Sequence, residues 1–122
     1  MNGEVFPRSH RLARRSDFRK TYDEGRKLAG RYLVLFVRPN EVGNIRLGLT
    51  VTKRAGCAAE RNRARRRLRE IFRTEARATL ERNRWTGTDD VVNLREGGAA
   101  AGVRELSEDF GRLLRRLGER GA

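Results

Sequence analysis

KRAGCAAERNRARRRLREIFR, residues 53–73, is the stretch from which the rest of the chain can be read. Eight arginines and one lysine fall within its 21 residues. Its second half has helical spacing, starting near Glu60 after Gly56 and running towards Arg82. At about 100° per residue, Ala64, Leu68, Ile71 and Phe72 make one apolar stripe that must face a core. Arg61, Arg65 and Arg69 follow at i, i+4 and i+8, with Asn62, Arg66 and Arg73 beside them. Together they form a second stripe about a quarter-turn away. Arg63 and Arg67 lie on the far side of the apolar stripe. Like charges at i, i+4 destabilise a helix by a few tenths of a kcal/mol per pair. An ordinary solvated face mixes signs, and here only Glu60 and Glu70 oppose the arginines. A helix stacked this way over three turns points to a polyanion that neutralises it. Arginine suits phosphate, because its planar fork binds bidentately and also stacks on bases.

Charge and composition agree. The 122 residues suit one domain, and hydrophobic and charged residues at 37% each allow a modest core. A net charge of +13 and a pI near 11.5 point to nucleic acid. A membrane surface fits less well, because the apolar stripe beside the arginines is narrow. No apolar run is long enough to span a bilayer, and MNGEVFPRSHRLARR lacks the core of a signal peptide, so the cytoplasm is expected. Cys57 is the only cysteine and His10 the only histidine. No disulfide, zinc cluster or His-based triad can be assembled from them, and no acid–base partner for Cys57 is evident. The side chains of this protein are poor candidates for hydrolytic chemistry of their own.

Working outward, residues 1–10 read as a loose basic arm. Ser16 can N-cap a short helix that Gly25 closes in the left-handed conformation. Phe18 and Tyr22 share a face of it, and fit either a core or a groove where bases stack. Arg31–Val37 (RYLVLFV) reads as a strand with Tyr32, Val34 and Phe36 on one face and Leu33, Leu35 and Val37 on the other. Ile45–Thr52 (IRLGLTVT) alternates as a half-buried strand, expected to pair antiparallel with its predecessor across the Pro39–Gly43 turn. Gly48 there leaves room for a close approach by backbone or ligand. Trp85 and Gly87 are expected to end the long helix, with Trp85 packing its end against the body. Asp90–Arg95 reads as a short strand interrupted by Asn93, and Glu96–Gly102 as a loop. Val103, Leu106, Phe110, Leu113, Leu114 and Leu117 form the buried face of a C-terminal helix. The order is α-β-β-α-β-α, with a further short strand possible at 8–14 or 27–30.

The motifs together resemble the protein subunit of bacterial ribonuclease P. "RLARRSDFRKTYDEGRKLAGRYLVLF", "RLGLTVTKRAG", "RNRARRRLRE" and "DVVNLR" stand in the order of that family's N-terminal pattern, signature strand, arginine-asparagine-arginine helix and final strand. The resemblance covers about residues 11–117. It implies an α/β (α+β sandwich) domain like the second domain of ribosomal protein S5, a mixed sheet packed by helices. It also implies a left-handed β-α-β crossover where the general rule would give a right-handed one. It implies that a catalytic RNA subunit, with magnesium ions held mainly by that RNA, removes the 5′ leader of precursor tRNA. By position, the RNA-subunit face is Lys53, Arg54, Arg61, Asn62, Arg63, Arg65, Arg66 and Arg69. The leader cleft is Phe18, Tyr22, Val34 and Phe36, which resolves the aromatic pair in favour of the groove. Residues 11–122 are then a single RNA-binding domain. The departures are Cys57 where asparagine is usual, Arg65 where lysine is common, and Asn93 in a run that is usually apolar.

Two other readings fit the charge. A ribosomal or ribosome-associated RNA-binding protein of the same fold class would need no aromatic cleft. A DNA-bending protein would show an apolar wedge on an exposed arm, and none is visible. Neither DNA nor a membrane is an expected partner.

Overall fold

The computed structural model describes residues 11–76, 78 and 87–119. Helix α1 (Arg15–Glu24) leads into strands β1 (Arg26–Ala29), β2 (Leu33–Pro39) and β3 (Arg46–Thr50). A single 3-10 turn, Lys53–Ala55, precedes helix α2 (Ala58–Ile71), which continues into a π-helical turn, Phe72–Ala76. Strand β4 (Thr88–Leu94), a short turn Gly98–Ala100 and helix α3 (Val103–Glu119) complete the order. The expected arm at residues 1–10 and the packing of Trp85 lie outside the described residues.

The four strands lie in the order β1-β2-β4-β3. The expected antiparallel hairpin between β2 and β3 does not form. Strand β4 separates them, antiparallel to β2 from Leu33↔Leu94 to Pro39↔Thr88 and parallel to β3 from Arg46↔Asp89 to Thr50↔Asn93. The reason is burial. Every β4 position except Asn93 is buried, so β4 needs a strand on each side, whereas β3 alternates and can serve as an edge. The loop after Pro39 is an arch over the end of β4. Asn40 organises it, donating from Nδ2 to Asn44 O (2.9 Å) and Asp89 Oδ1 (2.7 Å). Its Oδ1 accepts from the Val42 and Gly43 amides. The extra strand at 27–30 is β1, and the N-terminal stretch adds one parallel bridge, Arg11↔Leu47.

One face of the sheet carries the main core. Leu33, Leu35, Val37, Val92 and Leu94 meet Ala64, Leu68, Ile71 and Phe72 of the α2 segment and Leu106, Phe110, Leu113, Leu114 and Leu117 of α3. Val103, expected in that stripe, is 51% exposed at the first turn of α3, beyond the end of the sheet contact. Helix α1 covers part of the opposite face. Its first residue is Arg15 rather than one after Ser16, and Arg14 stands at the cap without a side-chain bond. Gly25 ends α1 in extended conformation, not left-handed. What requires glycine there is proximity: a Cβ would lie 2.5 Å from Thr21 O and 3.0 Å from Val37 O.

Three aspartates are withdrawn into the interior. Asp109 on α3 accepts the backbone N–H groups of Arg31 (3.0 Å), Tyr32 (2.8 Å) and Leu33 (3.0 Å), fixing the β1–β2 turn. Arg112 adds a fourth donor at 2.9 Å. Gly30 makes the approach possible, since a Cβ there would sit 2.6 Å from the carboxylate. Burial alone would raise the Asp109 pKa, but these donors outweigh it and hold the carboxyl below its ordinary value. Asp89 is held bidentately by Arg46 at 2.8 and 2.9 Å.

Asp90 differs. It sits on the core face, in register between Val37 and Leu47, and neither oxygen has a hydrogen-bond donor among the described residues. Burial, with the Asp89 charge adding and the Thr88 hydroxyl opposing, pushes its pKa up to about 7. The folded protein therefore keeps a proton that the unfolded chain releases at about 4. Stability falls as pH rises through about 4 to 7 and levels off above. Asp90→Asn should remove that slope and stabilise the protein at pH 8 by at most about 4 kcal/mol, with little effect near pH 4. Urea denaturation at both pH values checks this, and an equal difference at both would mean that Asp90 carries no proton in the fold.

Candidate RNA interface

The basic helix is launched by backbone chemistry that its sequence encodes. Glu60 reaches back to accept the Cys57 amide at 3.0 Å, closing a capping box that starts α2 at Ala58, two residues before the expected Glu60. Gly56 leaves space for that carboxylate, which a Cβ would approach to 2.5 Å. The preceding turn is pinned by the Gly97 amide donating to Arg54 O at 3.0 Å. Lys53 and Arg54 are thereby presented, exposed, at the end of β3.

Along α2 the expected faces are realised. Ala64, Leu68, Ile71 and Phe72 are buried. Arg61, Arg65 and Arg69 flank them half-buried, while Asn62, Arg63 and Arg66 are exposed. Arg65 donates to Asn62 Oδ1 (3.0 Å) and to Val51 O (3.4 Å), which aims its guanidinium back over β3. Arg67 is structural, donating to Ala101 O at 3.1 Å. Burial, then the charges of Arg11 and Arg65, hold the Arg69 pKa below the usual arginine value. Its proton stays on at neutral pH, so the crowding remains as repulsion.

The predicted aromatic residues lie on the other side of the same strand. Phe18 packs over Gly48, where a Cβ would come within 2.7 Å of the ring. The close approach that Gly48 permits is thus made by a side chain of the protein itself. Tyr22 meets Phe36 edge-on, with centroids 4.9 Å apart and planes at 89°. The Tyr22 hydroxyl lies 2.7 Å from Thr50 Oγ1 and donates to Asn93 Oδ1 at 2.9 Å. Val34 is the cross-strand neighbour of both Asn93 and Ala29, and Lys27 Nζ stands 6.0 Å over the Phe36 ring. Phe18, Tyr22, Val34 and Phe36 are all half-buried, two from α1 and two from the face of β2 that it packs against.

The two predicted sets meet. Arg65 and Arg69 from α2, Arg11 from the N-terminal stretch and Phe18 from α1 surround one pocket of about 140 Å³ floored by Leu12, Leu47 and Leu49. The sequence alone assigns Arg65 and Arg69 to one partner and Phe18 to another. It also misses Arg11, Lys27, Thr50 and Asn93. Of these only Asn93 carried a signal, an amide interrupting an apolar strand.

The ribonuclease P family model matches residues 6–118. The chain belongs to the ribonuclease P protein family. It is 40% identical to the ribonuclease P protein component of Gluconacetobacter diazotrophicus over 116 residues, covering 94% of this chain and 97% of that one. With the counterpart from Desulforapulum autotrophicum identity is 34% over 118 residues, 96% of each chain. The solved ribonuclease P protein of Thermotoga maritima superposes with a TM-score of 0.73 at 32% identity, covering 87% of this chain and 96% of that one. That of Staphylococcus aureus gives 0.73 at 25% identity, covering 88% and 94%. Family membership makes the chain a subunit of a ribonucleoprotein endoribonuclease of tRNA processing, and the ribosomal alternative is not favoured. Among the described residues no helix is long and apolar enough to cross a membrane.

Gly48→Val would drive a branched side chain into the Phe18 ring. It should destabilise the protein by about 1–3 kcal/mol and displace α1. Thermal denaturation reads the first effect, and loss of amide protection in residues 15–24 by hydrogen exchange reads the second.

Proposed function

We propose that the protein binds the catalytic RNA subunit through Lys53, Arg54, Arg61, Asn62, Arg63, Arg65, Arg66 and Arg69. In the same reading it holds the 5′ leader of precursor tRNA in the cleft of Phe18, Tyr22, Val34 and Phe36. The observation that supports this reading is the pocket where Phe18 of the aromatic set meets Arg65 and Arg69 of the basic set. Three arginines gathered over apolar side chains repel one another, and a phosphate seated among them would turn that repulsion into attraction. Rings beside such a phosphate site accept any base by stacking, which suits a leader that differs from one precursor to the next.

The phosphodiester hydrolysis belongs to the RNA subunit, with magnesium ions held mainly by that RNA. Among the described residues no three of His, Cys, Asp and Glu gather in a way that could hold a metal ion. The chain's side chains supply counter-charge and a track. Residues 11–122 act as one RNA-binding unit, in the cytoplasm, with neither DNA nor membrane as partner.

Arg66 is exposed and outside the pocket, so Arg66→Glu should act on assembly. Binding of the RNA subunit should weaken, and the slope of log affinity against log salt should shrink by a little under one. Phe18→Ala should instead lower the preference of the assembled enzyme for leader-bearing over leaderless tRNA, by about 1–3 kcal/mol for each stacked base lost. Filter binding across a salt series separates the two. An unchanged leader preference in folded Phe18→Ala would remove the cleft from the reading.

A further inference from the structure

The face of the sheet under α1 is set out in rows by the strand register. Val34, Asn93 and Thr50 make one row, Phe36, Val91 and Gly48 the next, and Arg38, Asp89 and Arg46 the third. Only the third row is charged. Asp89 stands in it fully buried, with an arginine directly across on either side. Arg46 donates to both of its oxygens at 2.8 and 2.9 Å, Asn40 donates to Oδ1 at 2.7 Å, and Arg38 lies 3.9 Å from Oδ2. Each arginine then reaches α1. Arg46 is 3.6 Å from Asp17 Oδ2 in the first turn of the helix, and Arg38 donates to Glu24 Oε1 at 3.1 Å at its last residue. The rise of an α-helix separates Asp17 from Glu24 by about 10.5 Å. Two strand spacings separate β3 from β2 by about 9.6 Å. The two acids are therefore spaced to meet the two arginines.

Pairing of β4 does not call for a carboxylate, and burying one costs desolvation that its partners must offset. What Asp89 adds is a fixed negative charge between two guanidinium groups. Its hydrogen bond and then its charge, with Asp17 adding, raise the Arg46 pKa against the effect of burial. Without that charge Arg38 and Arg46 would repel across a neutral residue and turn to water, and α1 would lose both of its tethers. Phe18 directly follows Asp17, and Tyr22 lies two residues before Glu24, so both rings sit between the tethers. We infer that Asp89 is a positioning residue: by holding Arg38 and Arg46 in place it fixes α1 over the sheet, and so sets the gap in which Phe18 and Tyr22 receive the leader. This rests on the leader-cleft reading and assigns to it a residue that touches no RNA.

The experiment uses the enzyme reconstituted from the full chain and its RNA subunit. Kd is measured at fixed salt and magnesium for precursor tRNA with and without its leader. The ratio of the two affinities cancels any loss of folded protein, which lowers both equally. Asp89→Asn should lower the ratio by roughly threefold to tenfold, a part of what the stacked bases are worth. Asp17→Asn combined with Glu24→Gln cuts both tethers and leaves Asp89 paired. It should lower the ratio by about twofold to fivefold, as partly exposed ion pairs do, and it decides the question if Asp89→Asn does not fold. In a chain that already carries Phe18→Ala and Tyr22→Ala, Asp89→Asn should leave the ratio where it is, because the rings it positions are gone. An unchanged ratio in any variant that folds, or a full further loss on top of the two alanines, would overturn the inference and leave Asp89 as an element of the fold. Hydrogen exchange of residues 15–24 reads the clamp without a leader, and protection there should fall in the first two variants. A wild-type ratio of unity with that fall still present would mean that the leader-cleft reading fails while the clamp on α1 stands.

Discussion

Strand β4 must have a neighbour on each side, and the arrangement of the site follows from that. Its side chains are buried on both faces at every position but Asn93, so an edge position would leave backbone and side chains half-satisfied. Strand β2 reaches it directly and antiparallel. Strand β3 can only reach the other side by running parallel, and parallel neighbours need a crossover. Helix α2 is that crossover. Its N-terminus therefore starts just beyond the end of β3, beside the strip of sheet that α1 leaves uncovered. The juxtaposition of a basic helix and an aromatic cleft is a consequence of strand order, before any binding residue is chosen.

The same fold manages an unbalanced charge. Several of the 16 acidic residues are spent on structure. Asp109 fixes a turn, Asp89 pairs with Arg46, Glu60 caps α2 and Glu70 pairs with Arg73. Among the described residues Arg61, Arg63, Arg65, Arg66 and Arg69 make no salt bridge, and Arg65 is steered by Asn62 and a backbone oxygen instead. Neutral acceptors orient a guanidinium without cancelling its charge. A carboxylate in their place would stabilise the free protein and compete with phosphate for the same fork.

Local periodicity made most of the elements legible. The stripe of Ala64, Leu68, Ile71 and Phe72, the alternation of Leu33 to Val37 and the buried face of α3 each follow from spacing within one element. Strand pairing does not. The alternation in IRLGLTVT says which side chains are buried and nothing about which strand lies alongside, so sequence proximity favours β2 as the neighbour where the fold has β4. Caps were misread for a related reason. Cys57 is not a usual N-cap residue, and Gly25 was read for its dihedral freedom when the requirement was space under Thr21 O and Val37 O. The shared pocket was invisible because Arg11, Phe18, Arg65 and Arg69 come from three separate segments. Asn93 looked like a fault in a strand because its partner, Tyr22, is 71 residues away.

A single-stranded ligand loses conformational freedom when it is laid in a groove, and a groove that must also order itself would add to that loss. Here the walls are set in advance. Phe18 is held against Gly48, Tyr22 by Thr50 and Asn93, and α1 by ion pairs from Asp17 to Arg46 and from Glu24 to Arg38. The contacts that fix the cleft lie below and behind it, so the exposed surfaces of the rings stay available. The arginines at the pocket are the complementary case. The charges of Arg11 and Arg65 crowd Arg69 in the free protein, and a phosphate seated among them would ease that crowding. In the proposed reading, rigid apolar walls would lower the entropy lost on binding, and the crowded cationic end would gain from the phosphate it meets.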